Sequence, residues 1–414
     1  MDRENRRSKK YRAVAKTKRY VSPRTKGILA LCLLAVLAIG AGVFAFIQGW
    51  IHLPEIPTED PQESTTAQLN SKDTVIHLVA GGDINITDKV VASGGANYDY
   101  SDVFLDILPV LTRGDLTLAN FEGNVCGAPY GTAMRSAPTQ LLQALRSAGV
   151  DVLQTANSHA ITNGLRGLAA TKNAIKAAGM QSVGTYADEA DFQRYQGFLM
   201  YEVQGIRIAV VAFTKGMDGR NLPEGSEDCV NLLYTDYSST YKEIDKEGIT
   251  RVLRAVEREK PDLTVAMLHW GSEFNDRENA TQGQIIELMS QLGVDAIIGN
   301  HPHHVQKIGF DSKTGIFVAY SLGDFLGDGE TANTSYTVLL DLQITKDGKT
   351  GKTRITGWEY TPVYLQYSQD GQLRLLRIRE AMAAYEADYI GKVPKDVYDA
   401  MKTALSRIES RVNG

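Results

Sequence analysis

Four short apolar runs in this chain are each opened by aspartate and closed by a polar residue: Asp115-Leu-Thr-Leu-Ala-Asn120, Asp151-Val-Leu-Gln-Thr-Ala-Asn157, Asp262-Leu-Thr-Val-Ala-Met-Leu-His269 and Asp295-Ala-Ile-Ile-Gly-Asn300. Continuous runs of this length read as strands buried on both faces. An earlier run, residues 74–80, leads into Gly81-Gly82-Asp83. Residues 139–148, 165–178, 249–259 and 281–292 carry apolar side chains at the three- and four-residue spacing of helices. Strands alternating with helices predict an α/β architecture, with ligands gathered where the carboxyl ends of the strands open onto loops. After Gly315 the order changes to strands at 316–320, 336–344 and 353–360, which predicts a second sheet packed on the first and an α+β character. From about Leu373 onward the pattern is helical, broken at Gly391 and Pro394.

The residues at those strand ends are the types that hold metal ions. Five of the seven histidines fall in Ala156-Asn157-Ser158-His159, Leu268-His269-Trp270-Gly271-Ser272-Glu273 and Gly299-Asn300-His301-Pro302-His303-His304. Pro302 fixes its own φ and favours an extended residue before it, so His301 and His303 are expected on an extended stretch, facing one side. Asp83 and the Asn120-Phe121-Glu122 segment add oxygens, and a carboxylate between two cations is the usual means of holding them about 4 Å apart. His269 closes an apolar strand, where a backbone-bonded core histidine is the plain alternative; Glu273 and the histidine cluster favour a ligand. Imidazole and carboxylate without thiolate suit Mn, Zn or Fe. His304 should face the other way, and His77 and His52 should take no part. Arg135 is a candidate to clamp a carboxylate or phosphate, with a structural arginine as the equal alternative.

The amino end carries a different signal. Residues 28–47 are uncharged and apolar, and as a helix would reach about 30 Å, the thickness of a bilayer core. Residues 1–27 hold 11 Lys or Arg against Asp2 and Glu4, so this tail is expected in the cytoplasm and the chain after the segment outside the cell. A cleaved signal peptide is the competing reading, but the run is long for one and Val43-Phe44-Ala45 is a poor cleavage site. Residues 48–73, rich in Pro, Glu, Thr and Gln, read as a flexible stalk. The remainder divides into a main domain, 74–365, and a helical extension, 366–414. Without the tail the chain keeps 33 basic and 47 acidic residues, a net charge near −14, which argues against nucleic acid or anionic lipid as partner of the exposed part. The basic tail suits anionic headgroups of the lipid bilayer. Cys126 and Cys229 would either pair in an oxidising compartment or stay as thiols.

With these residues assembled, the chain resembles the CapA/PgsA family of poly-γ-glutamate capsule biosynthesis proteins, of the calcineurin-like metallophosphoesterase superfamily. The resemblance covers about residues 75–362. Its landmarks include Gly82-Asp83-Ile84, Tyr98-Asp99-Tyr100, Asn120-Phe121-Glu122, Arg135-Ser-Ala-Pro138, Gly184-Thr-Tyr186, His269-Trp-Gly-Ser-Glu273, Gly299-Asn-His301-Pro-His303 and Tyr320-Ser-Leu-Gly-Asp324-Phe325. It implies a metallophosphoesterase-like four-layer β-sandwich flanked by helices, with two divalent cations at the strand ends. Asp83 would hold one cation, Glu122 would lie between the two, and His269, His301 and His303 would complete the shells. His159 would be catalytic, acting on the leaving group or a phosphoryl oxygen, and Asn120, Arg135, Glu273 and Asp324 would meet substrate. A centre of this kind activates water and stabilises charge on the attacked group.

This chain departs from the family pattern in three places. The superfamily's metal-binding Asn falls on Ser158, a weak ligand, so either Asn157 substitutes for it or the second cation binds poorly. The first-motif histidine falls on Asn85, and the usual Asn of the Tyr-Ser-Leu-Gly-Asn-Phe segment is Asp324, a replacement carboxylate. Two functions follow from the resemblance. One is a membrane-tethered hydrolase acting outside the cell on a phosphoester or a γ-linked polymer. The other is a non-catalytic subunit that binds an anionic surface polymer beside other poly-γ-glutamate synthase subunits.

Overall fold

In the computed structural model, which describes residues 73–413, each opening aspartate grips the strand beside it. Asp115 donates its N–H to the carbonyl of His77 (2.8 Å) and accepts the His77 N–H on Oδ2 (2.9 Å). Asp151 does the same with Thr117, Asp262 with Arg207 and Asp295 with Thr264. The carboxylate thus supplies one more acceptor to the neighbouring backbone just where the chain enters the sheet, and so fixes the register.

The strands so aligned are β1 (Thr74–Asn85), β2 (Leu116–Glu122), β3 (Val152–Gln154) and β4 (Gln181–Val183) in one sheet. In the other they are β6 (Ile206–Thr214), β7 (Leu263–His269) and β8 (Ala296–Asn300). Within each set neighbours run parallel. β5 (Phe198–Val203) adds an antiparallel edge beside β6, and β9 (Ile308–Phe310) another beside β10 (Phe317–Ala319).

Burial makes four layers. Ile76, Leu78, Leu116 and Leu118 of the first sheet meet Ile208, Val210, Val265, Met267 and Ile298 of the second in a shared core. The outer face of the first sheet, with Val79, Ala119, Phe121 and Leu153, is covered by Leu141, Leu142 and Leu145 of the helix Thr139–Ala148. The outer face of the second is covered by the helices Lys246–Glu259 and Ala280–Gln291 through Ile249, Leu253, Val256, Ile285 and Met289. Each such leucine or isoleucine removed from water contributes about 1.5–3 kcal/mol, which is why the amphipathic spacing was a sound guide to these helices.

Three expectations are corrected. The strands after Gly315 build no sheet of their own. β10 joins the second sheet beside β8, whereas β11 (Asp324–Leu326) and β12 (Tyr336–Lys346) join the first on β1, followed by β13 (Thr353–Tyr367) and β14 (Leu373–Arg377). Each sheet had an unpaired edge, and these strands satisfy it.

The segment after 366 is likewise not helical throughout. It opens with the end of β13 and with β14, whose alternating burial is that of a sheet edge, before the helices Ile378–Glu386 and Lys395–Val412. These helices lie against β12 and β13, with Met401, Ala404 and Ile408 in the inter-sheet core.

Nor does β1 end at Gly81-Gly82. It pairs with β12 through Ala80 and from Asp83 with β11, and a Cβ on Gly82 would stand 1.9 Å from the carbonyl oxygen of Gly323, so only glycine lets the strands change partners there.

The basic tail, the membrane segment and the stalk up to residue 72 lie outside the described residues. Among the described residues no helix is long and apolar enough to cross a membrane. Cys126 and Cys229 are free thiols, the first exposed and the second buried.

Candidate metal centre

The parallel registers decide which side chains meet. Asp83 pairs with Asn120 and Asn85 with Glu122 across β1 and β2, while His269 pairs with Asn300 across β7 and β8. Asp83 accepts the Asn120 amide on Oδ1 (2.6 Å) and the His301 backbone N–H on Oδ2 (3.0 Å). His303 Nδ1 lies 2.7 Å from Asp324 Oδ1 and 3.7 Å from Asp83 Oδ2, and its Nε2 lies 3.9 Å from Glu122 Oε2. Glu122 Oε1 is 3.5 Å from His269 Nε2, and the His269 and His301 rings stand 4.5 Å apart.

Three groups of donors therefore overlap: Glu122, His269 and His301; Asp83, Glu122 and His303; Glu273, His301 and His303. Within each, one donor atom per residue lies within 4.8 Å of the others. Glu122, His301 and His303 each belong to two groups. Glu122 Oε2 and His301 Nδ1 are buried and have no hydrogen-bond partner. Leaving such an atom unsatisfied costs about 1–3 kcal/mol, and more for a charged group. A divalent cation would satisfy both, so the residues present fit one.

Burial leaves His269 and His301 without protons, as a cation requires, whereas Glu122 and His303 hold protons that a cation would have to displace. Burial pushes Glu122 up to about 8 and Asp324 up to about 6, against the opposing charge of His303 in both cases. Burial raises Asp83 as well, again opposed by His303. Burial and the neighbouring histidines hold His269 well below the ordinary range; burial and Lys215 do so for His301. Burial also works against His303, but Asp324, Glu122 and Asp83 outweigh it and keep its imidazole charged. His159, with Nδ1 3.3 Å from Thr162 Oγ1, is driven down to about 3 by burial and Arg135.

Several placements differ from expectation. His301 and His303 are not extended: their φ angles are 94° and 58°, on either side of Pro302. The loop doubles back because Asp83 holds the His301 N–H and the Phe274 N–H donates to the Pro302 carbonyl (2.9 Å). The expected substitution at the second site is reversed. Asn157 gives its amide to Asn120 Oδ1 (3.1 Å) and the Phe121 carbonyl (2.7 Å) while its oxygen accepts the His159 N–H (3.0 Å), so it fixes the loop; Ser158 Oγ is the atom 3.0 Å from His269 Nε2. Arg135 is half-buried and donates through Nη1 to Asn85 Oδ1 (2.6 Å) and the Ile86 carbonyl (3.2 Å). His304 is outside the cluster, buried between Asp276 (2.7 Å) and the Ala332 carbonyl (2.8 Å), and His77 is bonded to Asp341 (2.8 Å).

A cavity of about 210 Å³ opens beside the cluster, lined by Ser158, Lys215, Asp218, Tyr241, Glu273 and His301. Lys215 is absent from the sequence-derived candidates. Its signal was an apolar run, 206–214, ending in Lys-Gly; the register Thr214 to His269 puts that end beside the site.

The model of the family described as "Bacterial capsule synthesis protein PGA_cap" matches residues 77–329. The chain is 27% identical over 267 residues to the capsule biosynthesis protein CapA of Bacillus anthracis, covering 63% of this chain and 61% of that protein's length. It is 26% identical over 295 residues to the PGA biosynthesis protein CapA of Bacillus subtilis (strain 168), covering 69% and 71%. Among solved structures it is similar to a calcineurin-like phosphoesterase, YfkN, from Bacillus subtilis: 15% identity, TM-score 0.43, 70% of this chain and 90% of that one. Since the family match runs from β1 to just past β11, and so takes in every donor of the cluster from Asp83 to Asp324, this chain belongs to the PGA_cap family of bacterial capsule synthesis proteins.

Proposed function

We propose that the chain is a divalent-metal-dependent hydrolase of capsule synthesis, tethered to the membrane through residues 28–47, with the described domain outside the cell and acting on a phosphoester or on a γ-linked glutamate polymer. The observation that carries this reading is the pair of unpartnered buried donors, Glu122 Oε2 and His301 Nδ1, inside overlapping ligand groups. Buried polar atoms in structural networks normally find partners, so orphans in a cluster of acids and imidazoles argue for a ligand.

Asp83, Glu122, His269, His301 and His303 would hold two cations of the Mn, Zn or Fe type, with Glu273 at the mouth. Bound there, divalent cations supply Lewis-acid stabilisation of developing negative charge. The protein's own part is orientation. Asn120 fixes Asp83, Asp324 fixes His303, and the uncharged His159 offers a hydrogen bond to an oxygen of the reacting group. Other polymer-synthase subunits at the bilayer are the expected partners.

Metal analysis of the purified full chain, with phosphodiester turnover compared between wild type and His301→Ala, tests the reading. Bound metal with His301-dependent turnover supports it, and wild type free of metal refutes it. Ser158, a weak ligand beside His269, favours the second reading of a non-catalytic polymer-binding subunit, which bound metal without His301-dependent turnover would establish.

A further inference from the structure

The Nη1 of Arg135, the cation expected to meet an anionic substrate, is bonded to Asn85 and Ile86. The cavity wall supplies another. We propose that Lys215 is the anion-binding residue of this site, receiving a carboxylate or phosphoryl oxygen of the substrate in the cavity beside His301. The inference rests on the proposed hydrolase reading and deepens it.

Lys215 is placed by the sheet. It directly follows β6, whose last residue is in register with His269, and its own N–H donates to the His269 carbonyl (2.8 Å). Its position is thereby tied to the same strand end that carries a candidate ligand. The half-buried ammonium donates to the Gly271 carbonyl (2.8 Å) and lies 4.4 Å from the centroid of the Tyr241 ring. An ammonium has three N–H donors, so one carbonyl and one ring face leave it under-satisfied. Among the described residues no carboxylate forms an ion pair with it. Burial pulls its proton affinity down, opposed only by the more distant Glu273.

A desolvated cation without a counter-ion is costly, and an incoming anion relieves that cost. The cavity of about 210 Å³ would hold about seven waters at roughly 30 Å³ each, enough for one oxyanion-bearing group, and His301 and Ser158 share its lining.

The test uses the full chain in detergent, loaded with Mn²⁺, as wild type, Lys215→Met and Lys215→Arg. Phosphodiester turnover is measured, with inorganic phosphate and glutamate as inhibitors, beside metal content. Lys215→Met should keep its metal, raise KM and weaken inhibition by about ten- to hundredfold, the worth of a charged hydrogen bond, with a smaller change in kcat. Lys215→Arg should restore part of the loss. Whichever inhibitor suffers more identifies the phosphoryl or the carboxylate as the group bound. KM and both inhibition constants within twofold of wild type would overturn the proposal.

If wild type turns nothing over, the hydrolase reading fails by itself. Calorimetric binding of phosphate and glutamate to the same proteins then decides the role of Lys215, with equal affinities, or none in wild type, counting against it. Should Lys215→Met fail to fold, Tyr241→Leu, which removes the ring beneath the ammonium, must weaken the same constants or the proposal falls.

Discussion

The Nδ1 of His303 stands 2.7 Å from Oδ1 of Asp324, and both side chains are buried. Asp324 on β11 is in register with Asp83 on β1, so one imidazole is held between carboxylates of adjacent strands. Asp324→Asn keeps the shape and removes the charge that orients the ring. Loss of such an outer partner typically weakens metal affinity about 10–100-fold, and Mn²⁺ titration calorimetry should show it. Unchanged affinity would detach Asp324 from the centre.

Chelation should make stability depend on pH in a defined direction. Glu122, raised from 4.5 to about 8, favours the fold while protonated and loses that contribution as pH climbs to about 8. His303, raised well above 6.5, loses its contribution from pH 6.5 upward, whereas His269 and His301, pushed down, are already neutral above 6.5. The Tm of EDTA-treated protein should therefore fall between about pH 7 and pH 8, and Glu122→Gln should flatten the fall. A Tm that rises over this interval would contradict the assigned directions.

His301→Ala and His304→Ala should part company. The first removes an unpartnered donor of two ligand groups and should abolish one equivalent of metal together with turnover. The second removes a buried imidazole bonded to the Ala332 carbonyl and to the exposed Asp276, itself paired with Arg411 of the last helix, and should cost about 1–3 kcal/mol in urea unfolding while metal is retained. Metal loss in both variants alike would mean that the two histidines are not functionally distinct.

Asp151→Ala tests the strand-opening aspartates. It removes the acceptor for the Thr117 N–H (3.0 Å) and the partner of Arg146 (2.5 Å), and should destabilise the metal-loaded protein by about 1–3 kcal/mol with no change in metal content. A neutral effect in denaturant titration would make the repeated Asp a feature of solubility.

Removing residues 1–50 should release the protein from the membrane fraction with turnover intact. A truncated chain that still sediments with membranes would locate the attachment elsewhere.

The sheet was readable because its parallel strands are short apolar runs with marked ends, and the four long helices because burial imposes their period. β5 and β6 were not anticipated, and Lys215 went with them: the run 206–214 lacks the opening Asp that marked the others, since it follows its partner through the tight turn at Gln204 and Gly205. The gathering of Asp83, Glu122, His269, His301 and His303 was anticipated, although the reason given for the last pair was wrong. Proline biases the residue before it locally, but the positive φ of His301 is imposed by Asp83, more than 200 positions away in the chain. The position of Asn157 was equally hidden, because it depends on Asn120 and Phe121 together accepting both N–H groups of one amide.

Left-handed backbone at the two histidines flanking Pro302 is a conformation that neither residue would choose alone, and costs of order 1–3 kcal/mol each. The aspartate on β1 is one of the contacts that keeps the loop there, by capturing the N–H of the first. Truncating Asp83 to Ala would therefore remove one donor and, with it, one of the ties on the loop that carries two imidazoles. Single-site mutagenesis will then credit this one carboxylate with more binding strength than its own donor supplies.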